Sequence, residues 1–161
     1  MVKVSIIGLS KRFRISANPR WVFKLEVKKW FEQRARGRVL HLCCGKTHFP
    51  FAINVDIDPE SCCDLIGDMF NPPLRGEAFD TIICDPPYRL AIDRRPEWVR
   101  ALTTLVKKRK GSRILLKTDF IPYFGENWVL RELVIYQGGR YWVPVSLLLF
   151  YELADPTLSD F

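Results

Sequence analysis

After Gly37 the chain breaks into short apolar runs, each closed by a turn signal, and nothing else in the sequence constrains the fold as strongly. Val39–Leu42, Ala52–Val55, Leu65-Ile66 with its neighbours and Phe79–Cys84 are too short for helices and show no regular polar alternation. That is the pattern of strands buried on both faces, as in parallel sheets covered by helices. Arg113–Lys117 is expected to be the next strand. Trp128–Gln137 and Tyr141–Tyr151 are longer β-rich runs joined around Gly138-Gly139, a pair that supplies the positive φ of a tight hairpin.

Two helices are punctuated. For the first, Asn18 can cap, Pro19 takes the first helical position and Gly37 ends it, with Phe23, Val27, Trp30 and Phe31 as its apolar stripe. The second opens at Pro96 and buries Trp98, Val99, Leu102, Leu105 and Val106. Lys107–Lys110 decorate its end and Gly111 stops it. Val2–Ile7 and Phe13–Ser16 are candidate short strands at the start. Counted from Val39, seven strands result, five compatible with parallel crossovers and two antiparallel. The expected fold class is α/β, a three-layer arrangement around a mostly parallel seven-stranded sheet with a C-terminal antiparallel hairpin. Several crossovers are too short for full helices, so one face is expected to be thinly covered. Residues 1–37 are expected to form a basic extension and helix, and residues 38–161 the core, in one compact domain.

The 161 residues carry a formal net charge of +7 and are 48% hydrophobic. That core-forming fraction excludes a collagen, a disordered tail and a disulfide-stapled miniprotein. No apolar run approaches the ~18 residues of a membrane span. Ser10-Lys11-Arg12-Phe13-Arg14 interrupts the only early apolar stretch, so no secretory signal is expected. The expectation is a soluble, cytoplasmic protein with no membrane partner. Its charge is uneven: residues 1–38 carry a net +9 and 89–117 a net +8, whereas 39–88 carry −6 and 118–161 carry −4. Two basic blocks flanking an acidic one suit a polyanion grip beside an active-site strip, although a solvated basic surface gives the same counts. The cysteines come as Cys43-Cys44, Cys62-Cys63 and Cys84, and adjacent pairs fit zinc spacing poorly, so no metal is expected. Buried thiols are the default, with a disulfide between the pairs as the alternative in a hyperthermophile. Only four Asn and two Gln lean toward a thermophilic source.

The sharpest motif is Asp85-Pro86-Pro87-Tyr88, directly after the strand Phe79–Cys84. In open α/β sheets ligands bind at the carboxyl ends of strands. Two prolines fix φ and remove two donors, leaving carbonyl acceptors; Asp85 adds an anionic acceptor and Tyr88 a flat aromatic face. That set suits a planar ligand with an exocyclic amine. Upstream, Val39–Leu42 runs into Cys43-Cys44-Gly45-Lys46-Thr47, and the next strand ends at Asp56. A small-residue turn followed by a strand-end carboxylate is nucleotide-binding logic. Gly45 and Asp56 are only eleven residues apart, too close for the full helix of a dinucleotide fold. Gly45-Lys46-Thr47 also mimics the end of a phosphate-binding loop, but Leu40 stands where that loop requires glycine.

Leu40-His41-Leu42-Cys43-Cys44-Gly45, Val55-Asp56-Ile57-Asp58-Pro59, Gly67-Asp68 and Phe79–Tyr88 together resemble class I, Rossmann-like S-adenosylmethionine-dependent methyltransferases. Within them the chain resembles the branch that methylates exocyclic amines of nucleobases. The resemblance implies that Cys43, Cys44 and Gly45 lie against the methionine part of the cofactor S-adenosylmethionine, and either Thr47 or His48 is expected to offer a substitute polar contact there. It implies that Asp56 holds the ribose and Asp68 accepts from the adenine amine. Asp85 and the Pro86 carbonyl would take the two amino protons of the target base, with Tyr88 stacked on it and Pro87 beside it. His41 stands where the family usually has an acid, and Cys43 and Thr47 replace turn glycines. Lys107, Lys108, Arg109 and Lys110 are expected to contact substrate phosphates.

The expected activity is methyl transfer to cytosine or adenine in structured RNA, ribosomal RNA above all, since a small, basic enzyme must read shape and phosphate. DNA amine methylation, with a partner protein supplying specificity, is the runner-up. A non-catalytic RNA-binding module with this fold, and a protein-amide methyltransferase, are rivals. His41 and His48 are expected to be structural, and Tyr123, Phe124 and Trp128 either floor a base pocket or pack the hairpin.

Overall fold

The computed structural model describes residues 1–7, 22–137 and 145–154. Its strands are β1 (Lys3–Ile7), β2 (Val39–Leu42), β3 (Ala52–Asp56), β4 (Leu65–Ile66), β5 (Thr81–Cys84), β6 (Arg113–Thr118), β7 (Trp128–Gln137) and β8 (Val145–Leu153). They form one sheet in the order β1-β7-β8-β6-β5-β2-β3-β4. β2 to β6 pair in parallel, and β8 inserts antiparallel between β6 and β7. The mostly parallel α/β sheet with a C-terminal antiparallel hairpin is therefore as expected. The strand count is eight among the described residues rather than seven. The reason is β1, which pairs in parallel along β7 from Lys3↔Glu132 to Ile7↔Tyr136 and covers an edge otherwise left unpaired. The expected strand Phe13–Ser16, the cap pair Asn18-Pro19 and the turn at Gly138-Gly139 lie outside the described residues.

Burial on both faces holds for β2 and β5, where every residue is buried. It fails at the sheet's far edge, where β4 leaves Ile66 57% exposed because no helix covers it. The connections between β2, β3, β4 and β5 carry no helix, so that side is thinly covered.

Three helices supply the outer layers: α1 (Leu25–Arg34), α2 (Tyr88–Asp93) and α3 (Arg95–Leu105). Because successive strand residues point to opposite faces, each strand feeds two cores. Val39, Ile83, Leu115 and Leu148 meet Val27, Trp30 and Phe31 of α1. Leu40, Leu42, Ile82 and Ile114 meet Trp98, Leu102 and Leu105 of α3. At about 2 kcal/mol for each large side chain buried, these two layers hold the sheet between them. Arg34 anchors α1 to β7 through a two-pronged pair with Glu132 at 2.6 and 2.9 Å, over the Trp30 ring.

Both helix boundaries correct the sequence reading. α1 begins at Leu25, not at Pro19, and its N-cap Lys24 makes no side-chain cap. The Phe23 N–H instead donates to the buried Thr47 hydroxyl at 2.7 Å, and Lys24 is extended. α3 stops at Leu105 because Val106 turns extended and Phe79 bridges it in parallel. Lys107–Lys110 thus lie in a loop rather than on the helix end, and Gly111, at φ +84°, turns into β6.

Candidate active site

The chain leaves β2 outward to β3 and β4, then crosses back to β5 and β6. β2 and β5 are therefore the pair at which the strand order reverses, and the crevice beyond their carboxyl ends is the ligand position of open α/β sheets. Leu42 is in register with Cys84, so Cys43 and Asp85 leave the sheet as neighbours. Asp56 ends β3, and Asp68 follows β4 by two residues. At the ordinary strand spacing these four positions stand along one edge about 14 Å long.

The turn after β2 is tight because Cys43 and Gly45 both take left-handed backbone, φ +56° and +54°. A cysteine there is strained by roughly 1 kcal/mol, and the site tolerates it. The turn is pinned to Asp56: the Gly45 N–H donates to Oδ2 at 2.8 Å and the Asp58 N–H to Oδ1 at 3.0 Å. A carboxylate oxygen has a second lone pair, so Asp56 keeps acceptor capacity for a diol. A hydrogen bond with Cys84, together with burial, pushes the Cys43 thiol well above its usual range, and burial pushes Cys44 up to about 12. Both are neutral, soft apolar lining; Cys43 Sγ lies 3.4 Å from Met69 Sδ. The expectation of uniformly buried thiols holds for Cys44 and Cys84 but not for Cys62, which is exposed. Thr47 is buried with its hydroxyl committed to Phe23, so its polar atom serves the approach to α1. Asp68 is exposed and closes a local turn by accepting from the Phe70 N–H at 2.9 Å.

Asp85, Pro86 and Pro87 lead from β5 into α2, whose first residue is Tyr88. The Pro87 carbonyl accepts from the Ala91 N–H at 3.0 Å, starting the helix. Burial, reinforced by the Asp85 charge, raises the Tyr88 phenol far above its usual range, so it stays neutral. The structure adds a residue that sequence reasoning missed. Lys117 of β6 places Nζ 2.6 Å from Tyr88 Oη and 3.3 and 3.4 Å from the Asp85 oxygens, with its side chain only 17% exposed. Its signal was a lone charge near the end of the apolar run Arg113–Thr118, next in the sheet to β5.

Lys107, Lys108, Arg109 and Lys110 are not brought to this crevice. They precede β6, at the amino ends of the parallel strands, where Lys107 and Arg109 pair with Asp80. The length of β5, about 13 Å, separates that end from Asp85. The exposed cations that follow the Asp85 loop are Arg89, Arg94 and Arg95, with Arg94 lying 3.8 Å over Phe70. His41 is buried among Phe23 and Phe49, bonds Asn54 at 3.1 Å, and is pushed by burial to a pKa of about 4, so it is neutral and structural. His48 pairs with Asp64 at 3.1 Å. Phe124 packs on Trp98, Trp128 and Tyr151, whereas Tyr123 is 71% exposed.

No protein-family model and no curated protein matches the sequence. Solved structures do match the fold. An S-adenosylmethionine-dependent methyltransferase from Methanosarcina mazei aligns with a TM-score of 0.59 at 7% identity, over 79% of this chain and 98% of its own. The N-methyltransferase NodS from Bradyrhizobium japonicum aligns at 0.58 and 13% identity, over 80% and 92%. TrmN from Thermus thermophilus aligns at 0.55 and 16% identity, over 80% of this chain and 47% of TrmN. The fold of this chain is therefore the Rossmann-like one that these methyltransferases share.

Proposed function

We propose that the chain is an S-adenosylmethionine-dependent methyltransferase acting on the exocyclic amine of cytosine or adenine in structured RNA, with ribosomal RNA the first candidate. The observation that carries this reading is that the turn Cys43–Gly45, tied to Asp56, and the loop Asp85–Tyr88 flank the same strand-order reversal. The residues present fit the cofactor: a close-turning backbone at Gly45, a carboxylate with spare lone pairs at Asp56, and neutral thiols beside them. When bound, S-adenosylmethionine supplies an electrophilic methyl on a sulfonium.

The rest falls to the chain's own groups. An aromatic amine is a poor nucleophile because its lone pair is delocalised into the ring. Asp85 and the Pro86 carbonyl accept hydrogen bonds from its two N–H groups, draw nitrogen toward tetrahedral geometry and stabilise the positive charge that grows on it; the methylated nitrogen then gives up one proton, to Asp85 or to water. Neutral Tyr88 offers a stacking face that offsets part of the cost of unstacking the base. The name of NodS, an N-methyltransferase, agrees with an amine acceptor. The net charge of +7 supports a polyanionic substrate.

One observation favours a second reading. Cys43 occupies left-handed backbone where glycine is easier, and Thr47 is committed to Phe23, as in a fold that has ceased to bind the cofactor. A non-catalytic RNA-binding module of that kind binds RNA but not S-adenosylmethionine. The test is a mass-spectrometric census of methylated nucleosides in total RNA and DNA from cells with and without the gene. Loss of one methylated amine from RNA is the expected result. Loss from DNA alone makes the acceptor DNA, and no change in either pool contradicts methylation of nucleobases.

A further inference from the structure

Lys117 places an ammonium where the proposed reaction needs to bind an amine. Leu116 is in register with Cys84, so Lys117, the next residue of β6 and still paired with Leu148 of β8, lies beside Asp85 where β5 has ended. Its Nζ donates to Tyr88 Oη at 2.6 Å and reaches both Asp85 oxygens at 3.3 and 3.4 Å. The two Asp85 distances are longer than a close charge-assisted hydrogen bond, on a carboxylate only 19% exposed, and the short bond to Tyr88 is what holds the ammonium in place. It also lies 5.2 Å from the Tyr88 ring centroid, against the stacking face that the base would use.

An ammonium at that place works against methyl transfer in two ways. It neutralises the acceptor charge of Asp85, and it adds a positive charge beside a sulfonium and a nitrogen that is becoming positive. A catalytic site with this lysine in place is therefore closed to chemistry until the lysine leaves. We propose that Lys117 is a specificity-determining residue: it occupies the amine position at Asp85 and Tyr88 and is displaced only by a base whose attached polymer supplies the binding energy. The inference rests on the proposed function and deepens it, because it states which acceptors the site refuses. Free nucleosides and small amines carry no phosphate chain to bind elsewhere on this basic protein, so they do not open the site. Binding energy from the remote part of a substrate is then used to assemble the reactive arrangement. The side chain is unbranched and flexible, and β6 itself need not move for Nζ to swing out.

The experiment compares wild type with Lys117→Met and Lys117→Arg, using methyl-labelled S-adenosylmethionine and two acceptors: unmodified ribosomal RNA transcripts, and free cytidine or adenosine. Calorimetric affinity for S-adenosylmethionine and a thermal melt establish that each variant is folded and loaded; Lys117→Gln replaces Lys117→Met if the latter does not fold. The expected result is that Lys117→Met raises the ratio of kcat/KM for nucleoside to that for RNA by about tenfold or more, while Lys117→Arg leaves the ratio low. Loss of transfer to both acceptors in Lys117→Met, with cofactor affinity kept and Lys117→Arg active, overturns the proposal and makes Lys117 a residue that positions Asp85. An unchanged ratio overturns it too. A wild type that binds the cofactor but labels neither RNA nor nucleoside removes the proposed function and this inference with it, an outcome distinct from an active wild type with an unchanged ratio.

Discussion

Two aspartates flank the same strand: Asp80 just before β5 and Asp85 just after it. Both are largely buried, 13% and 19% exposed at the side chain, and both face lysine. Asp80 is locked. The Arg38 N–H donates to it at 2.8 Å, Lys107 at 2.9 and 3.0 Å, Arg109 adds a further pair, and Gly37 packs so close that a Cβ there would come within 2.5 Å of its carboxylate. Burial alone would raise the Asp80 carboxyl, but the Arg38 N–H and the two cations outweigh it and hold it below the usual range. Asp85 meets its lysine at 3.3 and 3.4 Å, beside a tyrosine and a double proline at the strand-order reversal. One strand thus carries a carboxylate tied to the Arg38 N–H and two cations at its amino end, and one that faces Lys117 and Tyr88 at its carboxyl end, where an α/β sheet binds ligands.

The sharpest way to break this contrast is substitution at both positions. Asp85→Ala is expected to cut methyl transfer about a thousandfold, the order seen when one charge-stabilising group is removed, with S-adenosylmethionine affinity within a few fold and a smaller loss of stability than Asp80→Ala, because Lys117 keeps its bond to Tyr88. Transfer of labelled methyl and calorimetry on one preparation measure both. If Asp85→Ala instead lowers the melting temperature as far as Asp80→Ala does, Asp85 belongs with Asp80.

A third polar group, His41 on β2, sharpens the structural side. Burial depresses its pKa from 6.5 to about 4. The unfolded chain therefore binds this proton first, so stability is full above pH 6.5 and falls as the pH drops toward 4. The loss approaches about 3 kcal/mol, at about 1.4 kcal/mol per pH unit. Urea unfolding across that window, with His41→Gln as reference, is expected to show the slope in wild type only.

Asp80→Ala is expected to cost about 2 kcal/mol, because it leaves the Arg38 N–H and a part-buried Lys107 without their partner, while activity per folded molecule stays. Gly37→Ala is expected to cost a similar amount, about 2 kcal/mol or more, because the strain of its left-handed φ of +64° adds to a Cβ that meets the held Asp80 side chain. Both are read as shifts in the urea midpoint at constant slope.

What the sequence made legible was local. The unbroken apolar runs of β2 and β5 and the loop Asp85–Tyr88 announce themselves, because burial on both faces and proline chemistry leave marks within a few residues. What it hid was tertiary. β1 was recognisable as a strand, but its pairing with β7 depends on residues more than a hundred positions away. The start of α1 at Leu25 goes with the Phe23 bond to Thr47, a partner twenty-four residues on that no local signal announces. The early end of α3 depends on the bridge from Phe79 to Val106, and the parallel setting of β6 beside β5 puts Lys107–Lys110, which precede β6, at the end opposite Asp85. Lys117 reads as one more basic residue until the β5–β6 register sets it beside Asp85.

The most direct test of the account is a calorimetric titration of S-adenosylmethionine into wild type, Asp56→Ala and Asp85→Ala. The account predicts binding by wild type, binding weakened about tenfold or more in Asp56→Ala, as expected for loss of a charged hydrogen-bond acceptor, and near-normal binding in Asp85→Ala. No binding by wild type, or equal loss in both variants, would contradict it.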